Sequence, residues 1–260
     1  MFAIERIRII KAYLTENKQV EVNQLSQMLG VSEVTIRRDL EKLESEGFLT
    51  RTHGGAVLGS INDSSSSNSD PNALMEYSEI ANIAIQMIND GDIIMLTNGE
   101  INLEIAKHLN SKNRVTVLTN DLKIASHIME DQSAKVILLG GDIDYNTKSV
   151  FGSLTISNLN NFYVNHLFIE IDGISNTLDI SVSNIDMATF IKEAAKNANE
   201  RIIVCKSSAF EKTSFYRAGR LKDLCDKVIT NNTLSDQYKN NIFNANIQLF
   251  TSISVMEGKV

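Results

Sequence analysis

Residues 30–55, GVSEVTIRRDLEKLESEGFLTRTHGG, leave a folding chain few choices. Gly30 suits a turn, and Ser32 can accept a hydrogen bond from an orphan backbone amide and so open a helix. In that helix Ile36, Leu40 and Leu43 fall at i, i+4 and i+7, which makes one apolar stripe that must face a core. Val34, Thr35 and Arg38 then project from the opposite side, with Arg37 on its shoulder. A hydroxyl, a branched apolar group and two adjacent guanidinium groups near a helix start suit the major groove of DNA. Arginine pairs with guanine edges or phosphates, Thr35 can serve either, and Val34 can touch a thymine methyl. Solvation of an exposed face beside Asp39 and Glu41 is the plainer reading of the arginines taken alone.

The flanking residues decide between the two. Upstream, residues 3–15 read as a supporting helix with Ile7, Ile10 and Leu14 on one side, and residues 22–29 as a short helix that turns Val22, Leu25 and Leu29 inward. Downstream, Gly47 stops the reading helix. Residues 48–51 and 56–58 then flank His53-Gly54-Gly55 as a hairpin with a glycine turn, a wing that carries Arg51 and His53 toward a phosphate or minor groove. Helix, turn, helix and wing in this order predict an all-α winged helix-turn-helix with a small β wing over residues 1–58, contacting double-stranded DNA through Ser32, Val34, Thr35, Arg37, Arg38, Arg51 and His53.

Charge is consistent with that division. The chain of 260 residues has a formal net charge of -7, yet residues 1–60 hold eight Lys or Arg against eight Asp or Glu. The remaining 17 bases and 24 acids carry the whole imbalance, so the acidity belongs to the second part. A neutral head still binds phosphates if its bases share one side. Residues 59–71 read GSINDSSSSNSDP, lack aromatics and nearly all apolar groups, and are expected to form a flexible linker closed by Pro71.

Beyond the linker, residues 72–260 alternate short apolar runs with helical periodicity. Extended runs fall at 93–96, 115–118, 136–139, 167–171, 202–205, 228–229 and 247–250. Helical ones fall at 79–89, 103–109, 122–129 and 187–198. That alternation predicts an α/β domain with a mostly parallel sheet covered on both faces. Ligands in such sheets sit at the carboxyl ends of the strands. Polar turns cluster there: Thr97-Asn98-Gly99-Glu100, Thr119-Asn120-Asp121, Gly140-Gly141-Asp142 and Asp172-Gly173. Turns use these residue types anyway, but four in succession point to a pocket.

Other chemistries find little support. No apolar run approaches the roughly 18 residues of a membrane span, and the start has no signal-peptide pattern, so a cytoplasmic protein is expected. Cys205 and Cys225 are too few and too far apart for a metal site or a disulfide framework. His53, His108, His127 and His166 share no ligand spacing, and Gly140-Gly141 lacks a dinucleotide fingerprint, so neither metal nor cofactor is expected.

The chain resembles DeoR-type transcriptional regulators. The resemblance is carried by residues 6–10 before Leu14, by Val31-Ser32-Glu33-Val34-Thr35-Ile36-Arg37-Arg38-Asp39-Leu40, and by Thr52-His53-Gly54-Gly55-Ala56. It continues more loosely over nearly all of the remaining chain. The resemblance implies a C-terminal domain similar to sugar-phosphate isomerases such as ribose phosphate isomerase, and a phosphorylated sugar or related metabolite that weakens DNA binding. It also implies a homodimer or homotetramer acting as a repressor. Asn98-Gly99 matches the family's phosphate loop, and Asn120, Gly140, Gly141, Asp172, Gly173 and Lys192 match positions around the sugar. The chain departs from the pattern where the loop glycine is followed by Glu100 and Ile101 instead of hydroxyls. It departs again at Ala209, where a lysine is usual, and at Lys206, where an acid is common. Three outcomes stay open: Lys206 or another base takes over the charge pairing, the effector is not a phosphate, or the pocket senses nothing. An isomerase or deaminase with Asp172 as general base is the alternative from the enzyme class.

Overall fold

The computed structural model describes residues 3–17, 19–45, 49–51, 55–58 and 71–252. The chain divides into two units, Met1–Asn68 and Ser69–Val260. The first contains α1 (Ala3–Asn17), β1 (Gln19–Glu21), α2 (Val22–Leu29), α3 (Glu33–Ser45), β2 (Leu49–Arg51) and β3 (Gly55–Leu58). Ile10, Leu14, Leu25, Ile36, Leu40 and Leu43 are all fully buried in one cluster. Each such side chain contributes roughly 1.5–3 kcal/mol, so packing and not local propensity holds these short helices.

The turn between α2 and α3 is locked from both sides. Gly30 adopts φ 62, the left-handed conformation that favours glycine. The Ser26 hydroxyl then donates to the Val31 carbonyl at 2.7 Å, while the Val31 amide donates to the Ser26 carbonyl at 3.2 Å. Ser32 opens α3: the Thr35 amide donates to its hydroxyl at 3.3 Å and to its carbonyl at 2.9 Å.

The wing has one strand more than the sequence reading gave it. β2 and β3 pair antiparallel with Leu49 opposite Leu58, and β1 adds to the other side of β3 with Val20 opposite Ala56. Gly55 lies in β3, not in the turn. A Cβ there would sit 2.0 Å from the Val20 carbonyl oxygen, which is why the strand starts on glycine. The turn residues 52–54, His53 among them, and the linker 59–70 lie outside the described residues.

The second unit begins with α4 (Pro71–Met87), eight residues earlier than the periodicity suggested. Pro71 opens a helix instead of closing a linker, since its fixed φ and missing N–H suit a first helical position. There follow β4 (Ile93–Leu96), α5 (Glu100–Lys107), β5 (Thr116–Thr119), α6 (Leu122–Asp131), β6 (Lys135–Leu138), β7 (Asp142–Asp144), β8 (Ser149–Phe151), α7 (Ser153–Leu159) and β9 (Val164–Glu170). The chain continues through β10 (Gly173–Ile174), β11 (Asp179–Val182), α8 (Ile185–Ala194), β12 (Ala198–Val204), β13 (Tyr216–Arg220), α9 (Leu221–Leu224), β14 (Lys227–Thr230), α10 (Asp236–Asn244) and β15 (Gln248–Thr251).

Seven strands form one parallel sheet in the order β15-β14-β12-β9-β4-β5-β6. Alternate residues separate its two cores. Ile94, Leu96, Phe168, Ile202 and Val204 pack with Ile80, Ala84, Ile101 and Ile105 of α4 and α5, whereas Met95, Leu167, Ile169 and Ile203 pack with Phe190, Ile191 and Tyr238 of α8 and α10. Two antiparallel additions, β7-β8 and β10-β11-β13, escaped the sequence reading because their strands, two to five residues long, carry no continuous apolar run of four. The helix expected at 187–198 ends at Ala194, and Ala198 already belongs to β12. Strand order grows away from β4 in both directions, so the switch point lies between β4 and β9. Their carboxyl ends bound the crevice where such sheets take ligands.

Candidate nucleic-acid interface and ligand cavity

In α3 the inward residues Ile36, Asp39, Leu40 and Leu43 are buried, and Val34, Arg37 and Arg38 are exposed, with Val34 at 63%. Thr35 is half-buried and its hydroxyl lies 2.9 Å from that of Ser32. Five of the seven expected DNA-contacting residues therefore share one helix start and its cap. Arg51 falls on β2, with its side chain outside the described residues, as is His53. Arg37 pairs with Glu33 one turn earlier at 3.1 Å, both side chains being half-exposed. A pair so open to solvent is worth about 0.3–0.5 kcal/mol and yields readily to a phosphate.

Asp39 was missed as an anchor. It is buried and accepts hydrogen bonds from Nε and Nη2 of Arg6, the latter at 3.2 Å, which fixes α3 against α1. The bond to Asp39 raises the Arg6 pKa further above its ordinary value. A sequence signal existed, since an acid at i+3 from Ile36 and i−4 from Leu43 falls on the apolar stripe.

At the switch point of the second unit, polar side chains tie strand ends together. Asn102 is fully buried and its Nδ2 donates to the Thr97 carbonyl at 2.9 Å, the Thr97 hydroxyl at 3.1 Å and the Phe168 carbonyl at 3.2 Å. Buried Asn120 accepts from the Asn98 amide at 3.1 Å and reaches the Asn98 side chain at 3.4 Å. Gly99, with φ 148, is the cap residue of α5.

The group that organises this end is Glu170, which the sequence reading passed over inside the run 167–171. Its carboxylate accepts from the first three amides of α5: Glu100 at 3.1 Å, Ile101 at 2.9 Å and Asn102 at 3.1 Å. A Cβ on Gly99 would lie 2.1 Å from the same carboxylate, so glycine is needed for the approach. Glu100 turns its own side chain to Lys123, 2.7 Å away. The available signal was a charged residue amid Leu167, Phe168, Ile169 and Ile171, since a lone acid in a buried parallel strand needs dedicated partners.

Beside Glu170 lies a cavity of about 140 Å³, lined also by Tyr77, Ile101, Ile171, Asp172, Cys205, Lys206, Ser208, Ala209 and Lys212. Lys206 faces Glu76 at 3.8 Å and stands 5.3 Å over the Tyr77 ring. Asp172 is exposed and accepts from the Ser183 amide at 2.5 Å. Of the ten residues expected around a ligand, only Asp172 and Lys206 line this cavity. Asn98, Gly99, Glu100 and Asn120 stand together at the ends of β4 and β5. Gly173 packs in β10 against the Lys212 carbonyl, and Gly141, beyond the end of β6, leaves room for Thr155 and Phe151. Gly140 is exposed in the same loop, and Lys192 is exposed in the last turn of α8, away from the cavity lining.

Burial pushes the Glu170 carboxyl up to about 8, opposed by the amides of Asn102, Ile101 and Glu100 and reinforced by the charge of Glu100. Burial also raises Asp121, the cap of α6, to about 6 against the amides of Ile124 and Lys123. Both folded values exceed the unfolded ones. Their stabilising effect is therefore complete below the ordinary carboxylate range and is lost as pH rises through 6 and then 8. Asp226, lowered by its bond to Arg201, keeps its contribution throughout that window. The second unit is expected to melt at a lower temperature at pH 8.5 than at pH 5.5, with Glu170→Gln flattening most of the upper part of the slope. Calorimetric scans across that range check it, and an unchanged slope in the variant would refute the assignment to Glu170.

Among the described residues no helix is long and apolar enough to cross a membrane. Residues 6–62 match the DeoR-like helix-turn-helix domain, and residues 74–232 match the DeoR C terminal sensor domain. Among curated proteins, the chain is 29% identical to the HTH-type transcriptional repressor GlcR of Bacillus subtilis (strain 168), over 88% of this chain and 89% of that one. It is 31% identical to the uncharacterized HTH-type transcriptional regulator YulB of the same organism, over 90% and 91%. It is 28% identical to the lactose phosphotransferase system repressor of Staphylococcus epidermidis (strain ATCC 12228 / FDA PCI 1200), over 90% and 95%. Solved structures match more loosely. They include ribose 5-phosphate isomerase A of Methanocaldococcus jannaschii, with TM-score 0.38, 17% identity and coverage of 52% and 54%. Another is eIF2B delta of Chaetomium thermophilum, with TM-score 0.45, 16% identity and coverage of 60% and 55%. With a reading helix and wing at one end, a sensor-domain match over most of the rest, and relatives alike along nearly their whole length, this chain belongs to the DeoR family of transcriptional regulators.

Proposed function

We propose that the protein is a sequence-specific repressor of sugar-metabolism genes, acting in the cytoplasm as a homodimer or homotetramer. Its DNA affinity falls when a small sugar-derived metabolite binds at the β4–β9 crevice. The observation that carries this reading is the outward face of α3, where Val34, Arg37 and Arg38 stand exposed on a helix anchored by Ile36, Leu40, Leu43 and Asp39. Two relatives, GlcR and the lactose phosphotransferase system repressor, support the repressing sign, and the second supports the sugar connection. The mechanism is a population shift: a ligand that prefers one arrangement of the heads lowers operator affinity by its difference in affinity for the two.

Catalysis by Asp172 finds less support, because the amides that would hold a substrate anion at α5 already hold Glu170. A mobility-shift assay on the protein's own promoter DNA tests the proposal. A shift at low salt that recedes on adding one member of a panel of sugars is expected. No shift at any salt would overturn the repressor reading.

A further inference from the structure

A helix N-terminus presents free amides and the positive end of the helix dipole, and it ordinarily takes an anionic group of a ligand. In α5 all three leading amides are already satisfied by Glu170, at 2.9–3.1 Å. An incoming phosphate would have to expel a tethered carboxylate, whose effective concentration is on the order of millimolar or higher. It would also bring further negative charge beside Glu100.

We propose that Glu170 is a built-in replacement for a ligand's anionic group, and that the cavity beside it takes a neutral polyhydroxyl compound, a sugar or polyol with no phosphate at the α5 end. This rests on the reading of the second unit as a metabolite sensor. Three features of the cavity agree with a neutral ligand rich in hydroxyls.

The first is hydrogen-bonding capacity. A carboxylate offers about four acceptor positions and three are used, two on Oε2 and one on Oε1. One remains on Oε1: ionised it accepts from a hydroxyl, protonated it donates to one. The second is charge. The lining holds Glu170 and Asp172 against Lys206 and Lys212, and Lys206 already faces Glu76, so no excess of positive charge awaits an anion. The third is the mixed wall. The Tyr77 ring and Ile101 offer apolar surface for a carbon skeleton, and Ser208 adds a hydroxyl. The volume of about 140 Å³ is well above the roughly 10–15 Å³ that one water needs, so the cavity has room for a small polyhydroxyl compound.

The test uses the full chain. Inorganic phosphate should leave the wild-type melting temperature where chloride at equal ionic strength leaves it. Glu170→Ala should melt lower and be restored by several degrees on adding millimolar inorganic phosphate, because the vacated amides then accept the ion. Glu170→Ser, which keeps a small polar group, serves if the alanine variant does not fold. In calorimetry with ribose, galactose, glucitol and their phosphate esters, the wild type should bind a parent compound at least about tenfold more tightly than its ester. Glu170→Ala should reverse that order. Tighter binding of an ester by the wild type, or no rescue of either variant by phosphate, overturns the proposal. Binding of neither sugars nor esters removes the sensor reading and the ligand assignment with it, whereas phosphate rescue reports on the amides alone and so separates the two failures.

Discussion

Changing Arg37 and Arg38 together to alanine is expected to leave both units folded and to weaken operator binding by about 2–6 kcal/mol, twice the roughly 1–3 kcal/mol of one bidentate base contact. Folding survives because both side chains are exposed, and the Arg37–Glu33 pair between half-exposed groups contributes little. Affinity suffers because these guanidinium groups are the cations of the outward face of α3 nearest its start. Fluorescence anisotropy on a labelled operator duplex measures the loss, and its salt dependence sorts the contacts. A phosphate contact reduces the slope of log K against log salt by about one and weakens all sequences alike, while a base contact leaves the slope and relaxes specificity at one position. Unaltered affinity in the double variant would mean that this face does not read DNA.

Asp39→Ala is expected to unfold the first unit while the second melts as in the wild type. Arg6 and Asp39 have side chains only 10% exposed, and removing the acid leaves a little-exposed guanidinium without its carboxylate. Breaking a buried pair in this way costs about 3–5 kcal/mol. A unit of fewer than 70 residues rarely holds more than about 3–5 kcal/mol in total, so the loss consumes most of its stability. Hydrogen exchange on peptides from α1 and α3 should show protection lost at 25 °C, with peptides from β4 and β9 unaffected. The double replacement Arg6→Met with Asp39→Leu should recover much of that protection, because the buried pair is then exchanged for apolar contact. Full protection in Asp39→Ala would show that the bond is incidental.

Wherever burial alone decides a position, the pattern of residues announced the structure. The spacing of Ile36, Leu40 and Leu43 gave α3, and the apolar runs gave the strands of the parallel sheet with ends shifted by one to a few residues. Elements that rest on partners distant in the chain stayed hidden. β1 is a strand only because Gly55 lets β3 approach Val20, and β13 joins β11 from far along the chain, with Val182 opposite Tyr216 and Asp179 opposite Arg220. The site divided in the same way. Side chains that act from a helix surface, such as Arg37 and Arg38, follow from periodicity. Glu170 acts on amides some 70 residues earlier in the chain, and no local pattern reports such a pairing. Lys192 matched by position in the chain but stands outside the cavity lining, because the course of α8 is set by the packing of Phe190 and Ile191 and not by a ligand.

Because β1 bridges the end of α1 to β3, the wing is hydrogen-bonded to the chain segment that leads directly into α2. Three residue pairs between β1 and β3 thereby couple the wing to the helices on either side of β1. In the proposed complex, with α3 in a groove and the wing at the neighbouring backbone, the two would have to lie at one set distance, and a base pair inserted between them is expected to weaken binding even when every contacted base is correct.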